Sequence, residues 1–370
     1  MSSRPARLLL SGYWGFGNFG DEAILRVMVD EWRRRRPDDT LTVLSAVPQA
    51  TAAEYGVITL PRADWRVVVG AVRSSDVVVS GGGGLLQTAT SLRSLMYYAG
   101  IIREAQNANR AAAIFAQGIG PLDFLGKQIV RRTCCDIELA CVRDEASATL
   151  LRSLLPRVDV RLTADPVFLA KPVPSVESEA MLAREGLRDL RGELVVLVVR
   201  HASFFDRIIP QIAALVDRLS MRHGAQVVLL PLQIPDDADA ATQVIRRCKS
   251  TPVLLSGGYD LQEMAAILSR CAAVVSMRLH ALIVAATLGV PFIALPYDPK
   301  VGALMQNLAY PQAALVPGSK VDELVDGFWG RRSRLAAHLL SAAPPLAARA
   351  LLAFDWLEAL VERVTRASSS

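Results

Sequence analysis

The sequence predicts an α/β protein built from two Rossmann-like, doubly wound domains facing a cleft. Three observations predict it. Short apolar runs rich in β-branched residues recur along the 370 residues. Helical patterns fill most of the gaps, and that alternation builds parallel sheets covered on both faces. It breaks once, between 171 and 192, where prolines and charges crowd and no strand pattern is visible.

The expected strands are Arg7–Ser11, Leu41–Ala46, Asp76–Ser80, Ala111–Gln117, Leu139–Val142, Glu193–Arg200, Gln226–Pro231, Val253–Leu255, Ala273–Ser276 and Phe292–Leu295. Most are apolar throughout, as strands buried on both faces must be. About five fall on each side of the break. The expected domains are therefore residues 1–172 and 193–330, with a linker or short bridging helix over 173–192. Residues 331–370 are Ala/Leu-rich and are expected to form helix packing back toward the first domain, with a frayed tail at Arg366–Ser370.

Composition narrows the function classes. At 52% hydrophobic residues the chain is too apolar for low-complexity disorder. No apolar run is expected to reach the length of a membrane span, and Leu8-Leu9-Leu10 is too short for a signal-peptide core. The expected location is the cytoplasm, with a peripheral contact at the inner membrane face as a finer reading. The net charge of +5 is carried mostly by arginine and favours anionic partners. Its densest run, Arg33 to Arg36, reads either as a solvated helix end suited to the helix dipole or as a contact with anionic lipid. No nucleic-acid partner is expected. The 5 cysteines form no CxxC and no zinc spacing, so no metal site is expected, only reduced and mostly buried thiols.

The first strand leads into Gly12-Tyr13-Trp14-Gly15-Phe16-Gly17-Asn18-Phe19-Gly20-Asp21-Glu22. Gly15, Gly17 and Gly20 match a dinucleotide fingerprint, but the second strand ends in Leu44-Ser45-Ala46 without the acid that would hold a ribose. No cofactor is expected. The glycines are instead read as letting backbone approach a ligand at a helix start. Asp21 and Glu22 can cap and charge-match that helix. Tyr13, Trp14, Phe16 and Phe19 either face a sugar ring or wedge the loop onto the core. Gly81-Gly82-Gly83-Gly84 and Gln117-Gly118-Ile119-Gly120-Pro121 also follow strands. All three loops are expected at the carboxyl edge of one parallel sheet, where such folds bind ligands.

In the second half, Ser276-Met277-Arg278-Leu279-His280-Ala281 reads as strand, turn and helix start, and Lys300 follows the next strand. Arg278, His280 and Lys300 are therefore expected to converge on one edge. Arg grips a carboxylate or phosphate bidentately, Lys supplies a compact charge, and His moves a proton near neutral pH. That set suits a small ligand with two anionic groups. The alternatives are a core histidine at 280 and an ordinary surface lysine at 300. Arg143-Asp144 and Arg200-His201 also end strands, although Asp144 reads equally as the cap of a helix at 145–155, with Arg143 a structural partner.

Together these stretches resemble the polysaccharide pyruvyl transferases, most closely the CsaB type. The resemblance rests on Gly12–Glu22, Gly81–Leu86, Tyr97-Tyr98, Ala116–Pro121, Val142-Arg143-Asp144, Ala164–Phe168, Met277–Ala281 and Tyr297-Asp298-Pro299-Lys300. One departure is Trp14, where a tyrosine is more usual. The resemblance implies a fold similar to GT-B glycosyltransferases, with phosphoenolpyruvate as donor and co-substrate. It implies a lipid-diphosphate-linked disaccharide as acceptor, bearing N-acetylmannosamine. The product would be a 4,6-ketal in secondary cell wall polysaccharide that anchors surface-layer proteins. It also implies that Arg278, Leu279 and His280 line the phosphoenolpyruvate pocket with Arg143, Lys300 and Arg200. Catalysis falls to His280, Arg278 and Lys300. The acceptor would meet Tyr13, Trp14, Gly15, Phe16, Gly17, Asn18, Asp21, Gly82, Gly83 and Gln117. Competing readings are a GT-B nucleotide-sugar glycosyltransferase and a non-catalytic sensor of sugar phosphates or nucleotides. A dehydrogenase is disfavoured by the missing ribose acid.

Overall fold

Two all-parallel sheets organise the chain, which this computed structural model describes at residues 4–187, 192–202, 205–296, 298–311 and 313–367. Tyr297, part of one motif above, lies outside the described residues, as do 188–191 of the expected linker and 368–370 of the tail. The chain divides into two compact units. One runs to Pro166 and resumes at Leu346, and the other spans Val167–Pro345.

The first unit alternates strand and helix in chain order: β1 (Arg7–Ser11), α1 (Phe19–Arg35), β2 (Thr40–Ser45), α2 (Pro48–Tyr55), β3 (Ile58–Pro61), α3 (Trp65–Ser74), β4 (Val77–Gly81), α4 (Leu92–Asn107), β5 (Ala111–Gln117), α5 (Phe124–Thr133), β6 (Leu139–Val142), α6 (Glu145–Leu154) and β7 (Val160–Leu162). The strand order is β3-β2-β1-β4-β5-β6-β7. Leu9 pairs with Thr42 on one side and Val78 on the other. Strand order therefore reverses between β1 and β4, the switch point at which doubly wound sheets open a crevice. The buried face of α4, with Leu95, Tyr98, Ala99 and Ile102, packs with Val78 of β4 and Ile114 of β5 in one core.

The second unit contains α7 (Ser175–Arg184), β8 (Leu194–Val198), α8 (Phe205–Asp217), β9 (Gln226–Leu229), α9 (Asp236–Ile245), β10 (Val253–Leu254), α10 (Leu261–Leu268), β11 (Ala273–Ser276), α11 (Leu279–Thr287), β12 (Phe292–Ala294) and α12 (Pro299–Asn307). Its strand order is β10-β9-β8-β11-β12, so its switch point lies between β8 and β11. Ala281 through Ala286 of α11 are all buried, as expected of a helix apolar on every side. A final helix, α13 (Val321–Ala367), contributes residues to both units.

The two doubly wound, parallel units are those expected from strand–helix alternation, but the strand count is not equal. The first sheet has seven strands because β3 and β7 join its edges. Both lack the continuous apolar run of a buried strand: Ile58 is exposed, and Arg161 stands in the middle of β7. The expectation that nothing reaches membrane-spanning length is also corrected, since α13 is long and apolar enough by composition. Its Phe328, Leu335, Leu339, Ala350 and Phe354 are nevertheless buried in the fold.

Arg33 to Arg36 are not a free lipid-binding patch. Arg33 donates to the carbonyls of Tyr55 and Gly56 at 2.8 and 2.6 Å. Arg34 and Arg35 share Glu31, Arg35 also meets Asp355 and Glu358 of α13, and Arg36 pairs with Asp39. The run secures a helix end to its surroundings.

Candidate functional site

In the first unit, the loops after β1 and β4 flank the switch point. Asn18 caps α1, accepting from the Gly20 amide at 3.1 Å, so neither Asp21 nor Glu22 serves as the cap. Asp21 Oδ1 instead accepts from the Gly83 amide at 2.8 Å and joins the two glycine loops. A Cβ at Gly82 or Gly83 would stand 3.2 Å from that same oxygen, so the close approach depends on glycine at both positions. Glu22 Oε1 accepts from the Gly15 amide at 2.8 Å, and its other oxygen accepts from the Tyr55 hydroxyl at 3.1 Å. Burial pushes the Glu22 carboxyl above the usual carboxylate range, against the pull of those two donors.

Trp14 corrects the list of acceptor-facing residues. It is fully buried, its indole N–H donates to the Asp21 carbonyl at 3.2 Å, and its ring fills the space a Gly12 Cβ would need. It is the wedge that holds the loop to the core. Tyr13 and Phe16 stay exposed and stack on each other with ring centroids 4.2 Å apart. The Arg62 guanidinium lies over Phe16 at 4.8 Å, Tyr97 at 4.6 Å and Tyr98 at 5.3 Å. Arg62 follows β3, the strand the sequence did not reveal, and so went unnoticed. It gives the exposed Phe16 ring a cationic neighbour.

Gly15 and Gly17 both adopt positive φ, at +78° and +66°. They differ in surroundings. A Cβ at Gly15 would lie 2.4 Å from Ser45 Oγ and 2.8 Å from the Val47 amide nitrogen, whereas at Gly17 nothing stands within 4 Å. Gly15→Ala is expected to destabilise by about 2–4 kcal/mol, through strain plus overlap, and Gly17→Ala by only about 1 kcal/mol. Urea unfolding of the two variants side by side checks the difference; equal losses would contradict it.

Gln117 is placed differently from expectation, while Arg143 takes the structural pairing that was one of its two expected readings. Gln117 is fully buried, and its amide donates to the Ser80 carbonyl at 2.6 Å and the Ser80 hydroxyl at 2.9 Å. It therefore braces β5 against β4 beneath the loop rather than meeting a sugar. The preceding Ala116 has φ +50°, where the β5–β6 register shifts. Arg143 is buried in the first unit against Asp165 at 2.5 Å, and its Nε stands 3.2 Å from where a Gly118 Cβ would sit. Its charge is paired there with Asp165 through one terminal nitrogen. Asp144 caps α6, accepting from the Ser147 amide at 2.8 Å.

In the second unit, Arg278 follows β11 and occupies the N-cap position of α11. Its Nε donates to Asp237 Oδ2 at 3.1 Å, and one terminal nitrogen donates to Asp237 Oδ1 at 2.5 Å and Gln233 Oε1 at 3.1 Å. Asp237 is fully buried and also accepts from the Leu232 and Gln233 amides at 3.2 and 3.1 Å. The carboxylate is thus saturated and fixes the plane of the guanidinium. Among the described residues, the other terminal nitrogen of Arg278 has no hydrogen-bond partner, leaving its two N–H groups for a ligand. Neither Asp237 nor Gln233 was foreseen.

Leu279 and His280 open α11, half-buried. Lys300 lies in the first turn of α12, where its amide donates to the Asp298 cap at 2.9 Å. Ser276 pairs with Ala294, so β11 and β12 run side by side and deliver Arg278 and Lys300 to one edge. Arg200 follows β8, the other strand of the switch point, with Val198 paired to Ser276. All three cations thus follow strands at the carboxyl edge of the second sheet.

Solved structures share this architecture. A UDP-GlcNAc 2-epimerase from Neisseria meningitidis bound to UDP-GlcNAc is similar with a TM-score of 0.62 and 10% identity, covering 95% of this chain and 99% of that one. A glycosyltransferase from Rickettsia africae has a TM-score of 0.65 and 9% identity, covering 97% and 98%. These likenesses establish a GT-B-like fold of two Rossmann-like domains. No curated protein matches the chain. The polysaccharide pyruvyl transferase family matches residues 18–299, and the chain, an enzyme that transfers pyruvate, belongs to that family.

Proposed function

We propose that this enzyme takes pyruvate from phosphoenolpyruvate and closes it as a 4,6-ketal on a sugar of a cell-envelope polysaccharide precursor. The finer reading is an N-acetylmannosamine of a lipid-diphosphate-linked disaccharide, pyruvylated in the cytoplasm for secondary cell wall polysaccharide that anchors surface-layer proteins. The observation that carries the donor assignment is Arg278, its guanidinium plane fixed by Asp237 and Gln233 with two N–H groups unclaimed among the described residues. His280 and Lys300 start the neighbouring helices of the same edge. The exposed Tyr13/Phe16 stack and Arg62 serve the acceptor.

In the proposed reaction Arg278 and Lys300 bind the carboxylate and phosphate. His280 protonates C3 of the enol phosphate, leaving C2 cationic. One sugar hydroxyl adds to C2 and releases its proton. The C2–O bond to phosphate then breaks, inorganic phosphate departs, and the second hydroxyl adds to C2 with loss of its own proton. One donor and one diol thus give one ketal and one phosphate.

Incubating the protein with phosphoenolpyruvate and a lipid-linked disaccharide tests the proposal. The expected result is equimolar phosphate release and a product heavier by one pyruvate less water. UDP-sugars form the control arm, because similar folds bind them. Glycosyl transfer from a UDP-sugar with no phosphate release from phosphoenolpyruvate would overturn the assignment.

A further inference from the structure

Helices in a parallel α/β unit begin at the carboxyl edge of the sheet, so α4 and α5 start beside the glycine loops of the first unit. Their first two turns carry exposed apolar residues. Phe124 is 74% exposed, Leu125 56% and Met96 57%. Single exposed apolar residues are ordinary, but Phe124 and Leu125 are consecutive at the start of α5, and Met96 lies near the start of the neighbouring α4. The two starts are tied together. The Asp123 amide donates to Thr88 Oγ1 at 3.0 Å, and the Thr88 amide donates to the Pro121 carbonyl at 2.8 Å. A Cβ on Gly126 would stand 2.6 Å from Thr88 Cγ2, so the loop before α4 sits directly against the first turn of α5.

The charges around the patch are mostly basic. Arg93 lies one turn before Met96, and Lys127 and Arg131 lie one and two turns after Phe124 on the same face of α5. All three are exposed, and among the described residues none forms an ion pair. The single acid at these starts, Asp123, accepts from the Gly126 amide as the α5 cap. The contrast with Arg33 to Arg36 is instructive, since each of those arginines has an intramolecular partner.

We propose that the α4 and α5 starts form a membrane-docking prong for an anionic bilayer surface. Phe124, Leu125 and Met96 enter the boundary between headgroups and acyl chains, while Arg93, Lys127 and Arg131 meet lipid phosphates. Two weak signals of this kind, apolar insertion and basic attraction, are together sufficient for stable but reversible attachment. The prong lies on the sheet edge that carries the glycine loops, so docking would present that edge to a lipid-borne acceptor. The inference does not depend on the identity of the donor.

Co-sedimentation of the full chain with phosphatidylglycerol and phosphatidylcholine vesicles tests it. The wild type is expected to bind phosphatidylglycerol vesicles, with binding weakened by raised salt. Phe124→Ser combined with Leu125→Ser should lower the partition coefficient about tenfold or more, with melting temperature and phosphate release on a lipid-free acceptor unchanged. Lys127→Gln with Arg131→Gln should remove the preference for anionic lipid. Failure of the wild type to bind anionic vesicles overturns the proposal, as does binding that ignores both double variants. Concentration-dependent self-association lost in Phe124→Ser/Leu125→Ser without vesicle binding would assign the patch to a second copy of the chain, and equally overturn it.

Discussion

Asp237→Asn is expected to reduce kcat/KM for phosphoenolpyruvate by about 10²- to 10³-fold, chiefly through KM. Asp237 Oδ2 accepts three N–H groups, from Arg278 Nε and the Leu232 and Gln233 amides, while Oδ1 accepts the terminal N–H of Arg278. Asparagine has one oxygen for these four donors. If that oxygen keeps the Oδ2 position, its NH2 faces the Arg278 NH2, donor against donor. The guanidinium then loses both its fixed plane and its ionic partner. Removing one member of a buried, hydrogen-bonded charge pair costs on the order of 2–5 kcal/mol, and each 1.36 kcal/mol is tenfold. A merely structural role would lower the melting temperature and leave the KM for phosphoenolpyruvate unchanged in the surviving folded enzyme. Steady-state kinetics with both substrates therefore decide the matter. The acceptor KM should stay near that of the wild type, because Asp237 acts through Arg278. An unchanged KM for phosphoenolpyruvate would remove Asp237 from the donor site.

The same carboxylate shows where sequence reading stops. Asp237 lies in the first turn of α9 with Asp236 and Asp239, where acids are common because they suit the helix dipole. Nothing local distinguishes the member that turns inward to an arginine 41 positions away. Arg143 and Asp165 pose the same problem in the first unit. Each lies within a stretch that carries the family resemblance, and the two pair with one another across 22 positions. Trp14 could not be separated from Tyr13 and Phe16 by type, because its burial depends on the space left by the absent side chain of Gly12. By contrast, the central strands were legible because strands buried on both faces are apolar without interruption, as Val77–Gly81 and Leu194–Val198 are. The glycine loops were legible because close backbone contacts, such as that between Asp21 and Gly83, require glycine in the sequence itself. What leaves its mark in the residue type itself, a glycine or an unbroken apolar run, could be read from the sequence; which distant partner a charged side chain takes, as Arg35 takes Asp355, could not.

His280→Ala is expected to lower kcat by about 10²- to 10⁴-fold with little change in the KM for phosphoenolpyruvate, as befits loss of a positioned proton donor. The enol phosphate has no cationic centre until C3 is protonated, so a group that delivers that proton acts in the transition state and contributes little to ground-state binding. His280 opens α11 two positions after Arg278, on the edge where the carboxylate and phosphate are proposed to bind. A histidine that only helped to bind the anions would behave in the opposite way, raising KM while kcat held. Two further readouts separate the roles. Added imidazole should restore part of the lost rate in His280→Ala, since a small diffusible acid can occupy the space left by the ring. His280→Gln, which keeps a hydrogen-bond donor but cannot exchange a proton at neutral pH, should remain as slow as the alanine variant. Recovery in the glutamine variant would assign His280 to substrate positioning, and near-normal kcat in the alanine variant would move the proton transfer to another residue.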